Sequence, residues 1–225
     1  MKISIITLFP EVFEPILNTS ILKRAQAKSK IEFELINLRD FGEGKHKVVD
    51  DRPYGGGAGM VLRPDILTRA LKSITIHSTA VERYVILASA SGKPYNQKKA
   101  QDFSKLDHLI IVCGHYEGVD QRFIDKYVTQ EISIGDYVLT GGEIPAMVII
   151  DSIVRLLPGV LEKAEAIVNE SFTDNLLEGP QYTRPEEFDG EKVPEVLLSG
   201  DHKKIEQWRK QKSLEKTKKF RPDLI

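Results

Sequence analysis

The sequence predicts an α/β fold with a mostly parallel β-sheet, followed by a small helical C-terminal domain. Short runs of β-branched and apolar residues, which are typical of buried strands, alternate with segments whose apolar residues recur at helical spacing. Such alternation favours a parallel sheet that is covered by helices on both faces. After Pro158-Gly159 the chain becomes polar and charged, which predicts a change of domain.

Strands and helices are predicted in strict alternation along the first part of the chain. The segments KISIITL and HLIIVC are apolar, and IEFELIN alternates, so each predicts a strand. Pro10 stands where a helix could begin, and apolar residues at helical spacing follow it. The predicted strands are 2–8, 31–37, 83–88, 108–113 and 129–134, and the predicted helices are 11–27, 65–74, 96–104, 120–127 and 144–157.

Two regions depart from this alternation. A long polar loop is predicted from Leu38 to about Arg63, and a loop of that length inside a compact domain is usually functional or mobile. Residues 160–185 are polar without a clear period, and residues 186–225 predict short charged helices. We therefore expect a first domain over 1–160, an interdomain linker over 161–175 and a second domain over 176–225.

Charge is distributed unevenly along the chain. The net charge is −1, yet residues 203–225 carry nine Lys or Arg against three Asp or Glu, which leaves 23 basic against 30 acidic residues elsewhere. A basic tail on an acidic body predicts a polyanionic partner. A solvated helical end explains the same charge equally well.

The cellular compartment is indicated by the single cysteine, Cys113, which excludes an intramolecular disulfide and favours a reducing cytoplasm. No stretch approaches the ~20 apolar residues of a membrane helix. The N-terminal apolar run reaches Pro10 too soon for a signal peptide. These features predict a cytoplasmic globular protein with no membrane partner.

Three glycine-bearing loops, 89–92, 113–118 and 133–143, follow predicted strands. Ligands of open parallel sheets bind at the carboxyl ends of strands, where glycines let the backbone approach them closely. No loop matches a dinucleotide or P-loop fingerprint, and the five histidines lack zinc-site spacing, so no metal site is predicted. These patterns alone indicate an α/β ligand-binding domain with a basic tail, and three ordinary tight turns are the alternative.

Seven segments of the chain carry a specific pattern, in this order: LFPEVF (8–13), VDDRPYGGGAGM (49–60), VCGHYEGVDQR (112–122), SIGDYVLTGGEIPAM (133–147), DSIVRLLPGVL (151–161), YTRPEEF (182–188) and VPEVLLSGDH (193–202). Together they resemble the motifs of the bacterial tRNA (guanine-N(1))-methyltransferases. Those enzymes methylate the guanosine at tRNA position 37, just 3′ of the anticodon. The run SIGDYVLTGGE is the most specific part of the resemblance.

The resemblance implies a SPOUT methyltransferase, whose parallel sheet carries a deep trefoil knot, an exception to the rule that chains do not thread loops. Residues 1–160 would form the knotted, cofactor-binding domain, and its three glycine loops would enclose S-adenosylmethionine in a preformed site. For Tyr137 and Leu139 the alternative is core packing. The residues implied to bind the cofactor are Ser89, Gly114, Tyr116, Glu117, Ser133, Ile134, Gly135, Tyr137, Val138, Leu139, Gly141, Gly142 and Pro145.

Methyl transfer to guanine N(1) needs a carboxylate to accept the N(1) proton and a cation to stabilise the charge that develops on O6. The resemblance implies Arg155 for the cation and Glu170 for the carboxylate. The family uses an aspartate at the second position, so Glu170 is a departure by one methylene. The alternatives are an exposed loop charge for Glu170 and a helix-surface ion pair for Arg155.

The resemblance also implies partners. Residues 176–225 would bind tRNA, the chain would form a homodimer with its active site at the subunit interface, and Mg²⁺ could be required. Smaller departures are Ala90 and Ala58 in place of prolines, and Glu178 in place of aspartate. The residues implied to bind the substrate are Asp51, Glu178, Ser199, His202 and Arg209.

Two other functions remain open on the sequence. One is a SPOUT methyltransferase that acts on a different RNA site or on a ribose hydroxyl. The other is a non-catalytic tRNA-binding relative, which only the departure at Glu170 favours.

Overall fold

The computed structural model describes residues 1–74, 84–162 and 170–225. The chain divides into two compact units, Met1–Glu162 and Lys163–Ile225. The predicted linker over 161–175 therefore lies partly outside the described residues, and so does Arg83, the first residue of a predicted strand.

The first unit contains the parallel sheet that the sequence predicts. Its strands are β1 (Lys2–Thr7), β2 (Glu32–Asn37), β3 (Asp50–Asp51), β4 (Val61–Leu62), β5 (Tyr84–Pro94), β6 (His108–Cys113) and β7 (Gln130–Ser133). Five of them form one sheet in the order β2-β1-β6-β5-β7, and each neighbouring pair is parallel. The carboxyl ends of these five strands therefore lie along one edge. Strands β3 and β4 form a separate antiparallel pair.

Helices cover both faces of this sheet. On one face Ile3 and Ile5 of β1 belong to the same buried cluster as Ile149 and Ile150. On the other face Ile6 of β1 belongs to a second buried cluster, together with Ile66 and Leu67 of the helix Pro64–Ser73. The predicted α/β architecture is therefore confirmed. The helices of this unit are α1 (Glu14–Leu17), α2 (Ser20–Ala27), α3 (Pro64–Ser73), α4 (Gln97–Phe103), α5 (Gln121–Tyr127) and α6 (Glu143–Val154).

The prediction of one helix over 11–27 is wrong. The segment forms a 3₁₀ turn at Pro10–Val12, then α1, then α2. The side chains of Asn18 and Thr19 bond the carbonyls of Glu14 and Pro15 at 2.9 Å and 2.6 Å, so they end α1 by satisfying its last acceptors. Thr19 is extended, which starts α2 in a new direction.

Strand β5 is longer than predicted, since it runs through the first glycine-bearing segment to Pro94. Its register with β7 shifts between Ala88 and Lys93, so residues 89–92 form a bulge within the strand rather than a loop after it. A Cβ at Gly92 would collide with the backbone of Ile132 on β7, and glycine therefore permits this close approach.

The second unit combines a short hairpin with helices. The prediction of short charged helices over 186–225 is wrong in two places, because 187–192 form a hairpin and 202–220 form one helix of 19 residues. Asp201 caps that helix by accepting from the Lys204 N–H at 3.2 Å, and no Pro or Gly interrupts it. The elements are β8 (Glu187–Phe188), β9 (Glu191–Lys192), α7 (Glu195–Leu198), α8 (His202–Phe220) and a 3₁₀ turn at Pro222–Leu224.

Two hydroxyl groups attach α8 to the segment that precedes the hairpin. The Thr217 hydroxyl accepts from the Leu177 N–H at 2.8 Å, and the Ser213 hydroxyl donates to the Leu177 carbonyl at 2.6 Å.

The described helices include none that is long and apolar enough to span a bilayer.

A buried polar network joins three strands of the sheet. The Ser4 hydroxyl donates to Glu34 at 2.7 Å and lies 2.8 Å from His108 Nε2. Burial alone would raise the pKa of Glu34, but the Ser4 hydroxyl and the Lys2 ammonium outweigh it and hold the pKa below its usual value. This carboxylate therefore stabilises the folded chain in its ionised form.

Ser4→Ala should lower the free energy of unfolding at pH 7 by about 1–3 kcal/mol, because it removes the hydrogen bond that the Ser4 hydroxyl donates to the Glu34 carboxylate. The depressed pKa of Glu34 gives stability that is present above the unfolded value of about 4.3 and is lost as the pH falls through the folded value. The deficit should therefore shrink at about pH 3.5 in urea titrations. Ser104→Ala, which removes an exposed hydroxyl that donates to the Gln101 carbonyl, is the control. An equal deficit at both pH values contradicts this account.

Candidate active site

A cavity of about 530 Å³ opens at the carboxyl edge of the sheet, beside the bulge of β5 and the ends of β6 and β7. All thirteen residues that the family resemblance implies for cofactor binding line it, from Ser89 on β5 to Pro145 on α6. The structure therefore brings together residues from three separate parts of the sequence. Ser91, Gln121, Glu131 and Thr140 also line the cavity, and the sequence analysis did not single them out.

The loop 133–142 folds back over the end of β6 and closes one side of the cavity. The Gly142 N–H donates to the Gly114 carbonyl at 2.8 Å, and Gly141 forms an isolated antiparallel β-bridge with His115. A Cβ at Gly142 would lie 2.7 Å from Cys113 Cα and 2.8 Å from the Gly114 nitrogen. The two segments thus touch backbone to backbone, which only glycine allows at this position.

Side chains of the same loops face outward. Tyr137 is 55% exposed and Val138 is 88% exposed, and Leu139 is exposed as well. Core packing, the alternative for Tyr137 and Leu139, therefore does not explain them. Tyr116 adopts a left-handed φ of 58°, a conformation that costs a non-glycine residue about 1–2 kcal/mol. Such strain at the rim of a cavity is typical of a functional loop.

The charges around the cavity favour a cationic ligand. Glu117 and Glu131 are among its lining residues, whereas no lysine or arginine lines it within the described parts of the chain. Backbone groups of the glycine loops and apolar side chains such as Leu87 and Ile132 complete the wall. A cavity of this size and composition fits a small organic cation that carries both polar and apolar groups.

The glycine-rich loop 52–60 is tied to the cavity. The Glu117 N–H donates to the Met60 carbonyl at 3.0 Å, and the Leu62 N–H donates to the Gly118 carbonyl at 2.9 Å. Gly59 lies against the Glu117 side chain, where a Cβ would collide. Asp51, one of the residues implied to bind the substrate, is exposed on β3, at the base of this loop.

Two side chains next to Gly141, those of Glu143 and His115, were missed by the sequence analysis. Glu143 is buried and accepts from the Thr7 hydroxyl at 2.8 Å. A Cβ at Gly141 would collide with Glu143 Oε2 and would lie 2.7 Å from His115 Nδ1. That nitrogen is buried and makes no hydrogen bond within the described residues. A glutamate directly before the apolar run 144–150 was the sequence signal that could have identified this cluster.

Cys113, at the end of β6, is not available as a nucleophile. Burial, together with the negative charge of Glu143, raises the pKa of its thiol well above the usual range. The thiol therefore stays protonated, and reactivity requires the thiolate.

The two residues implied to be catalytic belong to different units. Arg155 is the C-cap residue of α6 in the first unit, and Glu170 lies in the second. Each has an interaction partner.

The other residues implied to bind the substrate belong to the second unit. Ser199 and His202 lie at the end of α7 and the start of α8, and Arg209 is exposed on α8. The Glu178 N–H donates to Ser171 at 3.0 Å, and its carboxylate accepts from Gln181. Among the described residues, no group of three or more His, Cys, Asp or Glu is arranged to hold a metal ion.

Gly142→Ala should lower the free energy of unfolding by about 1–3 kcal/mol, since the added methyl must displace the backbone of β6. Gly114→Ala is the matched control, because its Cβ would meet only ordinary contacts of 3.6 Å or more. Urea titration of both variants tests this expectation. Equal losses would show that the contact between Gly142 and β6 is not unusually close.

Comparison of the sequence with known proteins identifies its family. The family model described as tRNA (Guanine-1)-methyltransferase TrmD matches residues 1–225. A protein of Bacillus subtilis (strain 168) named tRNA (guanine-N(1)-)-methyltransferase is 52% identical over 225 residues, which cover 100% of this chain and 92% of that protein. A protein of the same name from Clostridioides difficile (strain 630) is 54% identical over 224 residues, which cover 100% of this chain and 97% of that protein. The chain therefore belongs to the tRNA (guanine-1)-methyltransferase family.

Proposed function

We propose that the cavity binds S-adenosylmethionine and that this chain transfers its methyl group to N(1) of the guanosine at tRNA position 37, in the cytoplasm. The observation that carries the proposal is the cavity itself, in a chain that belongs to this enzyme family. Its wall brings together residues 89–91, 114–118, 133–135 and 137–142. S-adenosylmethionine is a cation that supplies an electrophilic methyl group from its sulfonium. The carboxylates of Glu117 and Glu131 suit the positive charge of this cofactor, because no lysine or arginine is among the described lining residues.

The residues proposed for cofactor binding act in two ways. Gly114, Gly135, Gly141 and Gly142 bring backbone donors and acceptors close to the ligand, since no Cβ stands between. Tyr137 and its exposed neighbours offer apolar surface to it. The remaining proposed contacts are Ser89, Tyr116, Glu117, Ser133, Ile134, Val138, Leu139 and Pro145.

For the chemical step we propose Glu170 as general base and Arg155 as the cation beside O6. The Glu170 carboxylate would accept the N(1) proton as the N(1)–H bond breaks, and S-adenosylmethionine, when bound, would supply the electrophilic methyl group to that nitrogen. The guanidinium of Arg155 stabilises the negative charge that spreads to O6 as the proton leaves. Both assignments rest on the family motifs, because a carboxylate and a cation are what this chemistry requires.

For the substrate we propose that the second unit binds tRNA through its basic helix α8. Lys203, Lys210 and Arg209 are exposed on this helix, and Ser199 and His202 lie at its start. Asp51 would act from the loop that is tied to the cavity, and Glu178 from the segment before the hairpin. The division into a cofactor domain over 1–160, a linker over 161–175 and a tRNA domain over 176–225 is part of this proposal.

We also propose a homodimer with its active site at the subunit interface, and a deep trefoil knot. Ile144 and Val148 support the dimer, because they stand four residues apart on α6 and are both exposed. The return of loop 133–142 onto the end of β6 supports the knot.

The family resemblance also implies a role for Mg²⁺. If a chelator abolishes turnover and added Mg²⁺ restores it, the reaction requires Mg²⁺.

Incubation of the protein with methyl-labelled cofactor and two tRNA transcripts tests the proposed substrate. One transcript carries guanosine at position 37, and the other carries adenosine there. Label should enter only the first. Equal labelling of both would favour a methyltransferase for another RNA site, and no label in either, despite tRNA binding, would favour a non-catalytic relative.

Glu170→Gln should lower turnover by roughly 10²–10⁴, because the amide keeps the shape of the side chain and removes its basicity. Affinity for S-adenosylmethionine, measured by calorimetry, should not change. Glu170→Asp should keep most of the activity, and Glu187→Gln, on the exposed hairpin, is the control. Wild-type turnover in Glu170→Gln would mean that the proton leaves through another group.

The pair Lys203→Gln and Lys210→Gln should weaken tRNA binding and flatten its salt dependence. Each phosphate contact that is lost reduces the slope of log K against log salt by roughly 0.7–0.9. The matched control is Lys98→Gln with Lys105→Gln, two exposed lysines of the first unit. If the wild type and the double variant Lys203→Gln/Lys210→Gln gave the same salt slope, these two lysines of α8 would not contact tRNA phosphates.

A further inference from the structure

A second cavity, of about 420 Å³, lies within the second unit. The segment 180–186 forms one wall, and α7 and α8 form the others. The residues that matter for its chemistry are Tyr182, Arg184, Leu197, Leu198, Ile205 and Arg209.

One side of this cavity is an exposed aromatic and aliphatic surface. Tyr182 is 48% exposed and Leu198 is 53% exposed, although both line a concave site. The ring of Tyr182 is supported from α8 by Trp208, whose ring centroid lies 6.2 Å away. A half-exposed ring that a second ring holds in place suits a planar ligand that stacks on it.

The polar side of the cavity suits a phosphate-bearing ligand. Arg184 and Arg209 line it from two different elements, against a single carboxylate from Glu186. Gln181 and Thr183 add an amide and a hydroxyl that can pair with the edge of a base. A flat apolar face beside two guanidinium groups is the combination by which proteins bind unpaired nucleotides.

We propose that this cavity binds one unpaired nucleotide of the RNA substrate, other than the guanosine that is methylated. The base stacks on Tyr182, and the flanking phosphates pair with Arg184 and Arg209. The inference rests on the proposed action on tRNA. It adds to that function a site that selects RNA with an extruded or single-stranded base over a continuous duplex.

Stacking on Tyr182 and phosphate pairing at Arg209 should be separable by salt. Tyr182→Leu should weaken tRNA binding by roughly 5- to 150-fold with an unchanged salt slope, because an uncharged contact releases no counterions. Arg209→Gln should reduce the slope by roughly 0.7–0.9. Tyr182→Phe keeps the ring and should bind as the wild type does. Phe188→Leu, which removes an exposed ring outside the cavity, should change neither quantity.

A measurement on the unaltered protein complements the variants. Trp208 is the only tryptophan in the chain, so its fluorescence reports on the support of Tyr182. A short single-stranded RNA should change this fluorescence saturably, and a blunt duplex of the same sequence should not. Equal responses to both RNAs, or wild-type affinity in Tyr182→Leu, would overturn the nucleotide site. A wild-type protein that neither binds nor methylates tRNA would instead overturn the proposed function.

Discussion

The close contact between Gly142 and the end of β6 is the constraint on which the candidate active site depends. It lets loop 133–142 return over the sheet edge, with the Gly142 N–H on the Gly114 carbonyl. The helix that follows then begins with Glu143, whose carboxylate reaches Thr7 on β1. One pair of glycines thus fixes a loop, a helix and a buried carboxylate relative to three strands. The cavity is the space that this arrangement encloses.

The two units carry different physical properties, and each suits one of the two proposed ligands. The cavity of the first unit is lined by carboxylates and glycine backbone, which favours a small cation. The second unit exposes lysines and arginines along α8, which favours a polyanion. Methyl transfer to a base needs both, because the cofactor is cationic and the RNA is anionic. A near-zero net charge for the whole chain conceals this separation.

The sequence predicted what is local, and it missed what depends on distant partners. The strands were predictable because each is a short apolar run, and the residues that line the cavity were predictable because they lie in specific motifs. The bulge at 89–92 depends on the approach of β7, which no local pattern reveals. The role of Glu143 depends on Thr7, 136 residues earlier in the chain. The break after α1 was readable in principle from Asn18 and Thr19, but the apolar spacing across it favoured one helix.

Mass spectrometry of nucleosides and of oligonucleotide fragments, from tRNA that has been incubated with the protein and S-adenosylmethionine, tests the proposed methyl transfer. We expect 1-methylguanosine, located on the 3′ side of the anticodon and absent when the cofactor is omitted. A methyl group on a ribose hydroxyl, on another base atom or at another position would contradict it. An unmodified tRNA that nonetheless binds the protein would contradict it as well.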